Sequence, residues 1–113
     1  MVTLTILVIA RPNNRRELLS ACRLIAEQVR TEAGALDCRL SQDVDNENAI
    51  IIETTWKRRA HLDDHLCTGI FSALLGAVKL LGESHNVQIS DGHKTGGVEA
   101  VEAVRQKKHK PGI

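Results

Sequence analysis

Val2-Thr3-Leu4-Thr5-Ile6-Leu7-Val8-Ile9-Ala10 opens the chain and decides how the rest of it reads. The run is rich in β-branched residues and is closed by Arg11-Pro12-Asn13-Asn14, which predicts a strand followed by a break. Val2, Leu4, Ile6 and Val8 form one face, while Leu7 and Ile9 make the other face apolar toward the strand end. A strand apolar on both faces is covered on both faces. Its sheet must therefore meet something on each side.

Working outward, the apolar period changes after Arg15. Leu18, Leu19, Cys22, Ile25, Ala26, Val29 and Ala33 recur at helical spacing, predicting an amphipathic helix of about five turns. Arg15, Arg16, Glu27, Arg30 and Glu32 fall on its wet side, and Gly34 is its natural stop. Alternation returns over residues 36–44, with Leu36, Cys38, Leu40, Gln42 and Val44 sharing a face. The polar turn Asp45-Asn46-Glu47-Asn48 leads into Ala-Ile-Ile-Ile-Glu-Thr-Thr-Trp, so residues 36–56 read as a hairpin. Residues 57–67 read as a short charged helix, Thr68-Gly69 as an interruption, and residues 70–81 as a second helix ended by Gly82. Residues 85–90 are a brief last strand.

The order β-α-β-β-α-β predicts an α+β, ferredoxin-like fold: a four-stranded antiparallel sheet with helices on one face. A second copy is the simplest cover for the other face, which predicts a homodimer through sheet faces, a dimeric α+β barrel. Residues 1–92 carry this domain and residues 93–113 form a C-terminal extension. In the extension, Thr95-Gly96-Gly97 reads as a linker and Val98, Val101 and Val104 as the narrow stripe of a small helix. Lys107-Lys108-His109-Lys110-Pro111 reads as a mobile basic tail.

Composition removes several function classes. The chain has 113 residues, 42% apolar and 26% charged, which fits one globular domain with a core of its own. Fifteen Lys and Arg against 14 Asp and Glu leave a net charge of +1, which argues against nucleic-acid binding. No apolar run approaches the ~20 residues a membrane span requires. The N-terminus lacks the pattern of a signal peptide, so a cytoplasmic location is expected. Cys22, Cys38 and Cys67 form no C-x-x-C pair and suit a reducing compartment. One Trp, one Phe and no Tyr leave the core to aliphatic side chains.

Glu32-Ala33-Gly34-Ala35-Leu36-Asp37-Cys38-Arg39-Leu40, the acidic turn from Asp43 to Asn48, Glu53-x-x-Trp56 and Leu62-x-x-His65-Leu66 occur in this order. Together they resemble the antibiotic biosynthesis monooxygenase family over residues 2–90, with its quinol monooxygenase-like members. The chain departs from that family at Cys38, where an aromatic residue is common, and in the segment after Gly97. The resemblance implies a dimeric α+β barrel. It also implies activities that range from cofactor-independent quinol and anthrone oxygenation to haem degradation. Haem degradation would imply a ligand His on the last helix and an Asn in the first strand, and neither is present.

A cofactor-free oxygenase needs a base, a donor for the oxyanion and a dry apolar pocket. His65 is the candidate catalytic base, since His titrates near neutral pH and this position matches the family's helix-entry His. Trp56, able to stack on a planar substrate and donate its indole N–H, and Phe71 are the candidate substrate-binding residues. Structural roles compete: Trp56 as an anchor between sheet and helix, His65 as a cap. His61 and His65 share a helical face, yet no third ligand is placed by spacing, so no metal is expected. No cofactor is expected either. Asp63 and Asp64 diverge by about 100° on a helix and cannot act as a pair. The function expected is a cofactor-independent monooxygenase acting on a quinol- or anthrone-like molecule. The alternative is a non-catalytic dimeric module that binds a small hydrophobic metabolite.

Overall fold

β1 (Val2–Ala10) lies inside the sheet, with β3 (Ala49–Trp56) on one side and β4 (Gly82–Ser90) on the other, both antiparallel. β2 (Ala35–Gln42) extends the sheet beyond β3, and the two-residue β5 (Thr95–Gly96) extends it beyond β4. These relations come from a computed structural model that describes residues 1–92 and 95–109. The core is thus the expected four-stranded antiparallel ferredoxin-like sheet, with a short fifth strand at one edge. No single helix among the described residues is long and apolar enough to cross a membrane.

The alternation of β1 is realised strictly. Val2, Leu4, Ile6, Val8 and Ala10 are buried beneath the helices. Across the sheet, Ile6 pairs with Ile52 and Val87, and Val8 with Ile50, so one apolar layer spans three strands. The opposite face carries Thr3, Thr5, Leu7 and Ile9 with Ile51 of β3; Leu7 is 37% exposed in the single chain.

α1 (Arg15–Val29) follows one 3-10 turn over Pro12–Asn14. It buries Leu18, Cys22, Ala26 and Val29, a stripe at spacings of three and four. It stops one turn earlier than its sequence suggests, and Ala33 is exposed. Arg30, Thr31 and Glu32 continue as turns, with their N–H groups donating to the carbonyls of Ala26, Gln28 and Val29. The chain then reverses at Gly34, whose φ of 81° is cheap only for glycine. The same position leaves no room for a side chain, since a Cβ there would lie 2.1 Å from the His61 ring.

Four further details differ from the sequence reading, each for a local reason. The β2–β3 register slips between Ala35 and Asp37, so Leu36 is turned out and 52% exposed rather than facing the core. Val44 lies in the turn after β2 and is 98% exposed. β4 begins at Gly82, because the end of β1 accepts pairing from residues too polar to register as a strand. Thr95–Gly96, read as a linker, pairs with Ile89 and Ser90.

α2 (Arg59–Leu66) and α3 (Gly69–Leu81) are separated by the predicted break and bent by 66°. The Thr68 hydroxyl accepts from the Phe71 N–H and so caps α3. α4 (Val98–His109) packs against α2 and β4, and its Val101, 1% exposed, joins the same core. The extension is therefore laid onto the domain. Residues 107–109, expected in the basic tail, continue α4 instead, and the rest of the expected tail, beyond residue 109, lies outside the described residues.

Candidate active site

The three residues singled out from the sequence meet in one place. Trp56 ends β3 on the helix side of the sheet, His65 lies in the last turn of α2, and Phe71 in the first turn of α3. The Trp56 and His65 rings stack with centroids 4.6 Å apart, and Phe71 meets His65 edge-on at 5.2 Å. All three side chains are essentially sealed, at 0%, 1% and 0% exposure. In a chain with one Trp, one Phe and no Tyr, both benzenoid side chains are spent on flanking one histidine.

The His65 ring has one hydrogen-bond partner among the described residues. Its Nδ1 lies 3.0 Å from both carboxylate oxygens of Glu32. A carboxylate only accepts, so Nδ1 donates, and neutral His65 carries its lone pair on Nε2. Nε2 is buried and has no hydrogen-bond partner among the described residues. Burial holds the His65 pKa below its ordinary value, against the opposing pull of the Glu32 charge and hydrogen bond. Near neutral pH the pair is therefore a neutral imidazole on a carboxylate, although its geometry would also suit an ion pair. It presents an oriented lone pair in a dry environment, which is the arrangement a general base requires.

Glu32 is the residue whose part the sequence reading missed. Its spacing puts it on the wet face of an extended α1, but α1 ends at Val29 and the following turns swing its carboxylate inward to His65. The available signal was its place two residues before a glycine that reverses the chain. The early helix end itself has no marker in composition.

One expectation needs correction. The Trp56 indole N–H is not free for a substrate, because it donates to Thr54 Oγ1 at 3.0 Å on the same strand face. Open grooves flank β2: one of about 660 Å³ lined by Arg30, Cys38, Arg39, Ile51 and Glu53, and one of about 360 Å³ between α1 and β2 lined by Leu19, Arg23, Leu40 and Gln42. His61 packs over Gly34, and no group of three or more His, Cys, Asp or Glu gathers to hold a metal among the described residues. Burial pushes the Cys22 thiol up to about 11 and raises that of Cys38, so neither offers a thiolate.

The depressed His65 pKa has a signed consequence for stability. The unfolded chain binds a proton at about pH 6.5 that the folded chain resists, so stability falls as pH drops below that value. Glu32→Gln keeps an acceptor for Nδ1 but removes the charge, which lowers the folded pKa further. Urea unfolding should show a loss of roughly 1 kcal/mol at pH 8 and a steeper decline toward pH 5 than wild type. Parallel curves for the two proteins would contradict the pairing.

Comparison with known proteins agrees with the geometry. Residues 1–75 match the sequence profile described as antibiotic biosynthesis monooxygenase. No curated protein sequence matches significantly. Among solved structures, one described as an antibiotic biosynthesis monooxygenase superposes with a TM-score of 0.74 at 22% identity, covering 83% of this chain and 100% of that one. Protein Rv0793 of Mycobacterium tuberculosis gives 0.75 at 18% identity, covering 82% and 95%. PA3566 of Pseudomonas aeruginosa gives 0.71 at 24%, covering 79% and 90%. At these identities the structures speak for the fold, whereas the profile, over residues 1–75, spans Glu32, Trp56, His65 and Phe71. The chain belongs to the antibiotic biosynthesis monooxygenase family.

Proposed function

We propose that the protein is a cofactor-independent monooxygenase acting on an electron-rich, quinol- or anthrone-like aromatic molecule. The observation that carries this reading is His65, with one nitrogen held by a carboxylate and the other buried and unpartnered between two aromatic rings. Family membership supports it. His65 Nε2 takes a proton from an activated C–H or O–H of the substrate, and Glu32 stabilises the imidazolium that forms. The substrate anion passes one electron to O2, and the two radicals combine into a C–O bond. The imidazolium returns its proton to the peroxide anion. Loss of water from the hydroperoxide then leaves a carbonyl, so that CH2 and O2 become C=O and H2O. Burial among Trp56 and Phe71 keeps bulk water from protonating the anion first.

A second reading draws on the same burial. The apolar surroundings of His65 also suit a dimeric module that holds a small hydrophobic molecule without turning it over. For either reading we propose a homodimer in a reducing compartment, with a second copy covering the sheet face that carries Leu7, Ile9 and Ile51.

Oxygen uptake by metal-stripped protein with reduced naphthoquinols and anthrones should exceed the autoxidation blank. His65→Ala should lower it by about 10²-fold or more. No uptake across the panel, with unchanged ligand affinity in His65→Ala, selects the binding module instead. Light scattering at micromolar concentration should give twice the 12.4 kDa chain mass, and Leu7→Lys should shift it toward the monomer. A wild-type protein found only at 12.4 kDa would contradict the sheet-to-sheet interface.

A further inference from the structure

Arg105 reaches from α4 to the joint between α2 and α3. The last carbonyls of a helix need donors from outside it. At the end of α2, the His65 carbonyl accepts from the N–H and the hydroxyl of Thr68, and the Leu66 carbonyl accepts from the Arg105 guanidinium. A second guanidinium nitrogen donates to Ser72 Oγ, 3.1 Å away in the first turn of α3. The guanidinium carbon lies 5.4 Å from the centroid of the Phe71 ring, within cation–π range. One planar fork thus ties the end of one helix to the start of the next and bears on the ring between them. His65 and Phe71 stand on opposite sides of that joint, so the angle of the joint sets their edge-on contact. α4 is itself fixed by Val101, buried in the core, and by the β4–β5 pairing just before it. Arg105, the rest of α4 and the β4–β5 pairing lie beyond residues 1–75, the part matched by the family profile.

We propose that Arg105 is a positioning residue of the candidate site: it clamps the α2–α3 joint, and so makes the C-terminal helix a working part of a site otherwise built from the family core. The inference rests on the reading of His65 as the base, but its test does not use turnover. Facing His65 are Glu32 from the α1–β2 connection, Trp56 from β3, Phe71 from α3 and, behind Phe71, Arg105 from α4; His61 and Asp64 share its helix.

The full-length chain is compared with Arg105→Ala, Arg105→Lys and Ser72→Ala by two readouts. One is acrylamide quenching of Trp56, the sole tryptophan. The other is the NMR titration of the His65 imidazole. Arg105→Ala should raise the quenching constant several-fold and move the His65 midpoint up toward the ordinary value of about 6.5 as water enters. Lysine reaches one acceptor at a time, so Arg105→Lys should restore both readouts in part. Ser72→Ala, which removes a single exposed contact, should shift both by less in the same direction. Arg105→Ala with lower thermal stability but wild-type quenching and midpoint would overturn the proposal. If that variant does not fold, wild-type readouts in Ser72→Ala would overturn it. Shifted readouts with no oxygen uptake in any variant would leave the positioning role standing and remove the oxygenase reading.

Discussion

The hydrogen bond between Glu32 and His65 is the interaction on which the rest of the site depends. It selects the tautomer, aims Nε2 away from the carboxylate and offsets part of the cost of burying an imidazole. Delivering Glu32 to that position needs several backbone events in succession. α1 ends at Val29, two turns follow, Gly34 takes a positive φ, and β2 slips its register at Leu36 before pairing with β3. The Gly34 carbonyl accepts from the Lys57 N–H at 2.8 Å, which ties this turn to the start of the segment that carries His65. Gly34 also gives His61 a seat, so α2 can lie close against the turn. A side chain at position 34 would push α2, and His65 with it, away from Glu32.

The distribution of ring side chains follows the same logic. Most of the core beneath the sheet is aliphatic, with Leu4, Ile6, Leu18, Ile50, Leu74 and Val78, and Trp56 and Phe71 are its only rings apart from His65 among the described residues. Aliphatic side chains of different shapes pack such a layer well, so the sheet needs no rings for stability. The only Trp and the only Phe instead stand against His65, on a strand end and a helix start. There the second indole function is also satisfied, through Thr54, which fixes the plane of the ring that stacks on the imidazole. The third wall comes from outside the family core, where α4 brings a guanidinium to Phe71.

Much of this architecture was legible because it is written in periodicity. β1 alternates at two, α1 repeats at three and four, and Thr68-Gly69 marks the break between α2 and α3 where it occurs. His65, Trp56 and Phe71 were also legible as candidates, and the fold brings their rings together. What could not be read depends on backbone geometry without a compositional signal. The bulge at Leu36, the early end of α1 and the inward turn of Glu32 are of this kind. The pairing of Thr95–Gly96 with β4 is likewise a tertiary contact, formed by residues with poor strand propensity. Arg105 shows the same limit: nothing local distinguishes it from the basic residues around it, and its role exists only once α4 is laid across the α2–α3 joint.

The most direct test of this account is the tautomer of His65, read by long-range proton–nitrogen NMR on the uniformly labelled chain at pH 7.5. The account predicts a neutral ring protonated at Nδ1, with Nε2 showing the shift of an unprotonated nitrogen. A ring protonated at Nε2, or an imidazolium at that pH, would contradict it, because Nε2 would then have no lone pair with which to take a proton.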